Sequence, residues 1–196
     1  MLAIVKPSNY NLILMRKSVF AVSKNLYNQE EINQLNEQIN QKKELKNFDS
    51  PAKSALKTSE IEFVRFGSIA QKLNKFISYC YSANNANYGF DLFPVTGDKI
   101  FNYNIYTTGT EYSWHIDAES NNPVRDIKLT AMINCSDEPY EGGELVLFKG
   151  VEVKCPDFEV PGSVIIFPSF TNHRVNKVIS GKRKTLALWM WGPKFR

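Results

Sequence analysis

The sequence predicts a mainly β protein with helices at its N-terminal end, and two observations carry this prediction. From about Gly89 onward, short apolar segments alternate with turn sequences such as Pro161-Gly162 and Ser180-Gly181, a spacing that fits about eight strands. Before that point, apolar residues recur at helical intervals. Helices that precede the strands of a sheet cover one of its outer faces. We therefore expect a double-sheet jelly roll preceded by two helices.

The first part of the chain provides short strands and one helix. Two apolar patches, Asn11–Met15 and Ser18–Val22, predict one or two strands. Asn25 or Asn28 can cap a helix that runs to about Asn40, because asparagine accepts hydrogen bonds from the first free amides of a helix.

The next segment predicts a loop, a strand and a second helix. Residues 41–60 are polar and rich in lysine, which indicates a solvated loop, with a lid over a site as the alternative. Ile61–Val64 predicts a short strand. Ser68–Ala83 predicts a helix with one apolar stripe, which Asn84 and its polar neighbours end.

Eight segments in the second half combine an apolar run with flanking turn residues. The predicted strands are Ile100–Tyr106, Tyr112–Asp117, Lys128–Asn134, Gly143–Phe148, Val151–Lys154, Gly162–Phe167, Arg174–Val178 and Thr185–Trp191.

Length and composition are typical of one globular domain. The 196 residues show no internal repeat and no linker, so we expect a single domain over residues 1–196, with a helical part over about 1–90 and a jelly-roll core over about 91–192. The net charge of +4 does not demand nucleic acid. The cysteines are three in number and far apart, which favours a reducing compartment. With no signal peptide and no long apolar run, a cytoplasmic protein without membrane contact is expected.

The two histidines of the chain indicate a metal site. His115 and Asp117 are two residues apart in a predicted strand, so their side chains share one face. His173 follows the apolar strand that ends at Phe167. Two imidazoles and one carboxylate are the ligands of a two-His-one-carboxylate iron site, which leaves metal positions open. A surface pair of no function is the alternative for an isolated His-x-Asp.

Arg183 indicates an anion site on the final strand. It shares strand parity with Thr185 and Ala187, while three large aliphatic side chains alternate on the other face and should pack on the helices. The face of Arg183 would then line the interior, where a guanidinium requires an anion. A dicarboxylate held by the metal at one end would supply a carboxylate for Arg183, and Thr185 could add a hydroxyl.

These residues occur together in an order that resembles a known family. The stretch from about Phe101 to Trp191 resembles the 2-oxoglutarate/Fe(II)-dependent dioxygenases of the prolyl-4-hydroxylase type, in particular the PKHD-type branch. The matching pieces are Tyr106–Asp117, Lys128–Thr130, Tyr140–Leu145, Pro161–Ser163, His173–Val175 and Gly181–Arg183.

The resemblance implies a double-stranded β-helix of the cupin-like kind and assigns roles to individual residues. Iron would be held by His115, Asp117 and His173, and Arg183 would bind the far carboxylate of 2-oxoglutarate. Tyr106 and Asn134 would lie beside the cosubstrate. The residues expected to line the pocket are Thr130, Met132, Leu145, Val175 and Trp189, and those expected at the substrate mouth are Tyr112 and Trp114.

The activity that the resemblance implies is hydroxylation of an aliphatic C–H bond, with release of succinate and CO2. The cofactors would be Fe(II), 2-oxoglutarate and O2, with ascorbate as a candidate reductant. A prolyl residue of a peptide or protein is the leading substrate. The alternatives are a free amino acid hydroxylase, a nucleic-acid oxidative demethylase and a non-catalytic cupin-like binding protein. Nucleic acid is disfavoured, and no oligomeric state is predicted.

Overall fold

The computed structural model describes residues 19–43, 57–118 and 122–195, and this part of the chain folds into two sheets with two helices. The seven-stranded major sheet has the order β1-β9-β5-β11-β3-β2, with β6 paired to the start of β11, and the four-stranded minor sheet has the order β4-β10-β7-β8. The described strands are β1 (Ala21–Ser23), β2 (Glu60–Arg65), β3 (Ile100–Thr107), β4 (Tyr112–His115), β5 (Arg125–Asn134), β6 (Tyr140–Gly142), β7 (Leu145–Phe148), β8 (Glu152–Lys154), β9 (Val164–Pro168), β10 (Asn172–Val175) and β11 (Val178–Pro193).

The first helix, α1 (Gln29–Lys42), begins at one of the two predicted caps. The Asn28 side chain accepts a hydrogen bond from the amide of Glu31 at 2.9 Å, and the Glu31 carboxylate accepts one from the amide of Asn28 at 2.9 Å. This reciprocal capping box satisfies two amides that the helix cannot pair internally. Asn25 lies before the helix in a left-handed turn, with a φ of 54°.

The second helix, α2 (Phe66–Ala83), begins two residues earlier than predicted and ends where predicted. The polar run after it is not an open loop, since Asn84–Tyr88 form a π-helical turn. Gly89 ends this turn with a φ of 68°, and its amide donates to the Asn84 carbonyl at 2.7 Å.

Two hydrophobic cores lie on opposite faces of the major sheet. The outer core joins both helices to the sheet, and Leu186, Leu188 and Met190 of β11 belong to it, as the alternation on that strand predicts. The inner core fills the space between the two sheets and contains Ala187 of the opposite β11 face. Strand β11 lies between β3 and β5, so its inward side chains point to the middle of the molecule.

The fold class is confirmed as a jelly roll with helices on the major sheet, and the differences from the predicted elements are local. The predicted strand Arg174–Val178 is split between β10 and β11. Strand β11 begins seven residues before the predicted strand Thr185–Trp191, so Arg183 lies inside it. The predicted turn at Ser180-Gly181 is an irregularity inside that strand, where β11 pairs with β6. The patch Asn11–Met15 and most of the predicted loop 41–60 lie outside the described residues. No helix within the described ranges is long and apolar enough to cross a membrane.

Candidate metal and cosubstrate site

The pairing of two minor-sheet strands brings the two histidines together. Strands β4 and β10 are antiparallel, and His115 and His173 are directly opposite each other in their register. The centroids of the two imidazole rings are 4.1 Å apart. His173 is buried, and the ring of Tyr112 stacks on His115 with a centroid distance of 3.5 Å. Both imidazoles are thus held at one end of the space between the sheets.

Each histidine is oriented by a hydrogen bond to the backbone two residues earlier. His115 Nδ1 is 2.8 Å from the Ser113 carbonyl oxygen, and His173 Nδ1 is 2.9 Å from the Thr171 carbonyl oxygen. Because a carbonyl only accepts, both Nδ1 atoms carry the proton and both Nε2 atoms keep a free lone pair. This is the tautomer that a metal-binding imidazole requires when it coordinates through Nε2.

Asp117 completes the cluster just beyond the end of β4. Its Oδ1 is 3.7 Å from His115 Nε2, and its Oδ2 is 3.5 Å from His173 Nε2. One ligand atom from each of the three residues lies within 4.8 Å of the others. The Asp117 amide donates to the Ser169 carbonyl at 2.9 Å, and the Thr130 hydroxyl donates to Asp117 Oδ2 at 2.7 Å.

The electrostatics of the cluster keep His115 neutral. Burial and, after it, the neighbouring His173 together lower the pKa of His115 to about 4, against the opposing effects of the hydrogen bond to Ser113 and of Asp117. A neutral imidazole is the form that donates a lone pair to a metal, so the site favours the ligating state at neutral pH.

Arg183 lies on the floor of the same cavity and is fully buried. In the described part of the chain, none of its three guanidinium nitrogens has a hydrogen-bond partner. The nearest carboxylate oxygen is Glu159 Oε2, 3.6 Å from Nε. Burial alone would lower the pKa of Arg183, but Glu159, Tyr140 and Tyr106 raise it, so the side chain stays charged. A buried cation with unused donors is costly unless an anion binds to it.

The surroundings of Arg183 hold its guanidinium in one place. Its Cζ lies 5.6 Å from the ring centroids of both Tyr106 and Phe158. Gly143 has a φ of 68°, and a Cβ at that position would be 2.9 Å from Arg183 Cδ. Glycine at this position therefore leaves the room that the arginine stem needs.

The structure brings most of the predicted site residues to one cavity, together with the metal cluster. The lining residues that the sequence predicted are Tyr106, Tyr112, His115, Asp117, Thr130, Met132, Leu145, His173, Val175, Arg183, Thr185 and Trp189.

Two predicted site residues lie elsewhere. Asn134 does not line the cavity, because its side-chain amide donates to the Tyr140 hydroxyl at 3.1 Å and to the Phe158 carbonyl at 3.0 Å. Trp114 is on the outer face of the minor sheet, where its ring packs against Phe148 and the Arg174 guanidinium. The structure therefore does not bring Asn134 and Trp114 to the cavity that the other predicted site residues line.

Three residues near the site were not identified from the sequence. Glu159 accepts hydrogen bonds from the Leu145 amide and the Tyr140 hydroxyl, both at 2.9 Å. Its carboxylate thereby stays beside Arg183. Lys57 and Asn104 line the cavity, and the Lys57 ammonium donates to the Asn104 side chain at 2.7 Å. Only Asn104 had a signal in the sequence, since it is two residues before Tyr106 and shares its strand face.

The donor set fits a divalent iron ion and a dicarboxylate. Two imidazoles and one carboxylate on one side of the metal leave its other positions open. The unused donors of Arg183 match a carboxylate, which accepts two parallel hydrogen bonds from guanidinium. Thr185, the next inward residue of β11, adds a hydroxyl to the same wall.

Comparison with known proteins gives the same result for this segment. Residues 101–191 match the model of the 2OG-Fe(II) oxygenase superfamily. A PKHD-type hydroxylase of Synechococcus sp. (strain CC9605) is 37% identical over 86 residues, which cover 43% of this chain and 38% of that protein. The chain thus aligns with less than half the length of this relative.

Two solved structures share the fold over most of both chains. A prolyl-4-hydroxylase of Pseudomonas putida has a TM-score of 0.67 at 19% identity and covers 90% of this chain and 94% of its own. The viral collagen prolyl hydroxylase of Paramecium Bursaria Chlorella virus-1, in complex with 2OG, has a TM-score of 0.65 at 18% identity and covers 89% and 97%.

This segment, which is less than half of the chain, is similar to the 2OG-Fe(II) oxygenase superfamily, and the predicted resemblance to PKHD-type hydroxylases is confirmed. The predicted cofactors Fe(II) and 2-oxoglutarate are those in the name of this superfamily, and one of the similar structures is a complex with 2OG.

Proposed function

We propose that this protein is an Fe(II)- and 2-oxoglutarate-dependent dioxygenase that hydroxylates a prolyl residue of a peptide or protein. One observation carries the proposal: the fully buried Arg183, whose guanidinium makes no hydrogen bond to a described residue, lines the same cavity as His115, Asp117 and His173. A metal cluster alone would fit many enzymes. A metal cluster that shares a cavity with a buried, unsatisfied cation fits a bound dicarboxylate.

One group of residues would hold the metal, and another would orient the cosubstrate. His115, Asp117 and His173 would hold the iron, and Arg183 with Thr185 would hold the distal carboxylate of 2-oxoglutarate. Apolar side chains of the inner core, among them Leu145 and Val175, exclude water from the space between these two groups. When bound, iron and 2-oxoglutarate supply the oxidising chemistry that, with O2, hydroxylates a C–H bond and releases succinate and CO2.

The prolyl substrate is supported by the relatives. Two proteins of similar structure are named prolyl hydroxylases, and the viral one is named for collagen. A free amino acid remains the alternative that the same site accommodates. A non-catalytic cupin-like binding protein is disfavoured, because such a protein has no need for a buried arginine in its metal cavity.

The test is succinate formation from 2-oxoglutarate by the Fe(II)-loaded protein, with and without proline-containing peptides. We expect peptide to stimulate turnover. We expect His115→Gln to abolish it through lost metal binding, and Arg183→Met to abolish it through lost 2-oxoglutarate binding. Arg174→Met is the matched control, since Arg174 packs on Trp114 on the outer face of the minor sheet. Absence of turnover in a wild-type protein that also fails to retain Fe(II) would refute the proposal.

A second readout separates a functional from a structural role of Arg183. Arg183→Met removes the cation that lies 3.6 Å from Glu159 Oε2, and the loss of one partner of a buried ion pair is destabilising. We therefore expect Arg183→Met to lower the thermal midpoint of the ligand-free protein, which then serves as the reference for ligand binding. The stabilisation by saturating 2-oxoglutarate, about 2.7 kcal/mol at a hundredfold excess over Kd, should disappear.

A further inference from the structure

One turn of the chain provides the backbone acceptors for two of the proposed metal ligands. It joins β9 to β10 and is closed by a hydrogen bond of 2.9 Å from the Thr171 amide to the Pro168 carbonyl oxygen. The Ser169 carbonyl oxygen accepts a hydrogen bond from the Asp117 amide. The Thr171 carbonyl oxygen accepts one from His173 Nδ1. A displacement of this turn would therefore move the backbone of one ligand and rotate the imidazole of the other.

The first half of the turn is fixed by Ser169, which is fully buried. Its amide donates to the Lys128 carbonyl oxygen at 3.0 Å, and its hydroxyl donates to the Ile127 carbonyl oxygen at 2.6 Å. Both carbonyl groups belong to the first half of β5. These two hydrogen bonds tie the start of the turn to the major sheet.

The second half of the turn is held by the ring of Phe170. This ring meets the Phe90 ring at a centroid distance of 6.5 Å and an interplanar angle of 89°, and the Phe195 ring at 6.2 Å and 70°. The rings of Phe90 and Phe195 meet each other at 5.9 Å and 80°. Edge-to-face contact is an arrangement that aromatic pairs prefer. We call Phe90, Phe170 and Phe195 the phenylalanine triad.

The triad contributes little to the hydrophobic cores. Phe170 is 53% exposed and Phe195 is 47% exposed, and neither belongs to the outer or the inner core. Stabilisation by burial follows the apolar area removed from water, which is small for half-exposed rings. The contact between the two rings therefore acts locally, on the position of the turn.

The position of Phe195 is itself fixed beside the start of β5. Its amide donates to Asp126 Oδ2 at 2.7 Å, and the Lys194 ammonium donates to Asp126 Oδ1 at 2.6 Å. The Lys128 ammonium lies 3.3 Å from the centroid of the Phe195 ring, in cation–π contact. Lys128 thus connects both supports of the turn, since its carbonyl group holds Ser169 and its side chain holds Phe195.

We propose that Phe170 and Phe195 are positioning residues of the metal site, which act through the turn 168–171 and touch none of the ligands. This inference rests on the proposed function, because it concerns the same metal site. The triad keeps the two carbonyl groups of the turn where the Asp117 amide and the His173 imidazole need them. The ligands are thereby oriented before a metal binds, and contacts that orient ligands commonly contribute 10–100-fold to metal affinity.

The Kd for Co(II) tests the proposal on the full chain, from the visible absorption of the ion and without 2-oxoglutarate or O2. We expect Phe170→Ala and Phe195→Ala each to raise the Kd about tenfold, the low end of the range for such contacts. Because both act through one contact, the double variant should bind Co(II) about as the single variants do. Independent effects would multiply to about a hundredfold, and that result would overturn the proposal.

Two further variants separate positioning from a general effect on stability. Phe170→Tyr keeps the ring and should restore the wild-type Co(II) spectrum, with a Kd within about threefold of wild type. Phe93→Ala is the control, because Phe93 is also half-exposed but lies beside Trp191 in a separate groove. It should leave the Kd unchanged even where it lowers the free energy of unfolding.

An unchanged Kd in Phe170→Ala, or an equal rise in Phe93→Ala, would also overturn the inference. Failure of the wild-type protein to bind Co(II) would instead reject the proposed function.

Discussion

Asp117 is the proposed metal ligand that depends most on a single neighbouring side chain. Both histidines are set by their own backbone and by the pairing of β4 with β10. Asp117 lies beyond the end of β4, and the hydroxyl of Thr130 holds its carboxylate from the central strand β5. Such outer contacts to a ligand commonly contribute 10–100-fold to metal affinity.

Thr130→Val should therefore weaken metal binding by about 10–100-fold, because valine has the same shape but cannot donate to Asp117. Thr130→Ser keeps the hydroxyl and should bind metal within about threefold of wild type, a margin well inside that range. The measurement is the Kd for Co(II) from its visible absorption, without 2-oxoglutarate or O2. Equal affinity of the valine and wild-type proteins would show that the hydroxyl does not position the ligand.

At the scale of elements, β11 provides more of the residues that line the cavity than any other described strand. It pairs with β3 and β5 along its length and with β6 at its start. Gly181 lies where β11 pairs with β6, with a φ of 77°, and a Cβ there would be 2.3 Å from the Pro139 carbonyl oxygen. This close contact sets the course of the strand two residues before Arg183.

Gly181→Ala should destabilise the protein and displace the start of β11. A positive φ costs a non-glycine residue about 1–2 kcal/mol, and the contact with Pro139 adds about 1–3 kcal/mol. Gly109→Ala is the matched control, because Gly109 has a φ of 86° but open space around its Cα. Urea unfolding of both variants measures the difference. An equal loss of stability in the two would mean that the backbone of β6 yields to the new methyl group.

The site residues that lie on strands could be predicted from the sequence, because alternate residues of a strand point to opposite faces of the sheet. Thr185 was placed beside Arg183 on the inner face of the sheet by this argument alone. Glu159 could not be found this way, since it ends the short 3-10 turn Pro156–Glu159, which has no periodicity. The start of β11 was missed because Ser180-Gly181 has the composition of a turn, although Gly181 pairs with Tyr140 inside a sheet.

For the molecule as a whole, the buried neutral histidine couples folding to pH. The pKa of His115 is about 4 in the folded protein, below its ordinary value of 6.5. As pH falls below 6.5, the unfolded chain takes up a proton at this position and the folded chain does not, so the folded state loses stability. The loss from this residue is complete near pH 4 and amounts to roughly 3 kcal/mol.

The metal-free protein should therefore show a decline in unfolding free energy between pH 6.5 and 4 that His115→Gln reduces. Glutamine does not take up a proton in this range. The difference between the two curves of unfolding free energy against pH therefore gives the contribution of His115, without that of the carboxylates. Urea titrations in the presence of a chelator provide the curves. Parallel curves for the two proteins would mean that His115 takes up its proton equally in the folded and unfolded states.

Arg183 and Trp191 lie eight residues apart on the same strand, so β11 fixes the distance between them. At about 3.3 Å per residue, the two Cα atoms are roughly 25 Å apart. Deletion of one residue between them would shorten this distance slightly. It would also move every side chain on one side of the deletion to the opposite face of the sheet. Substitution of side chains at the Trp191 end changes neither this distance nor the pairing of β11. Side chains at the Trp191 end can therefore be exchanged while Arg183, the proposed cosubstrate residue, keeps its register in the sheet.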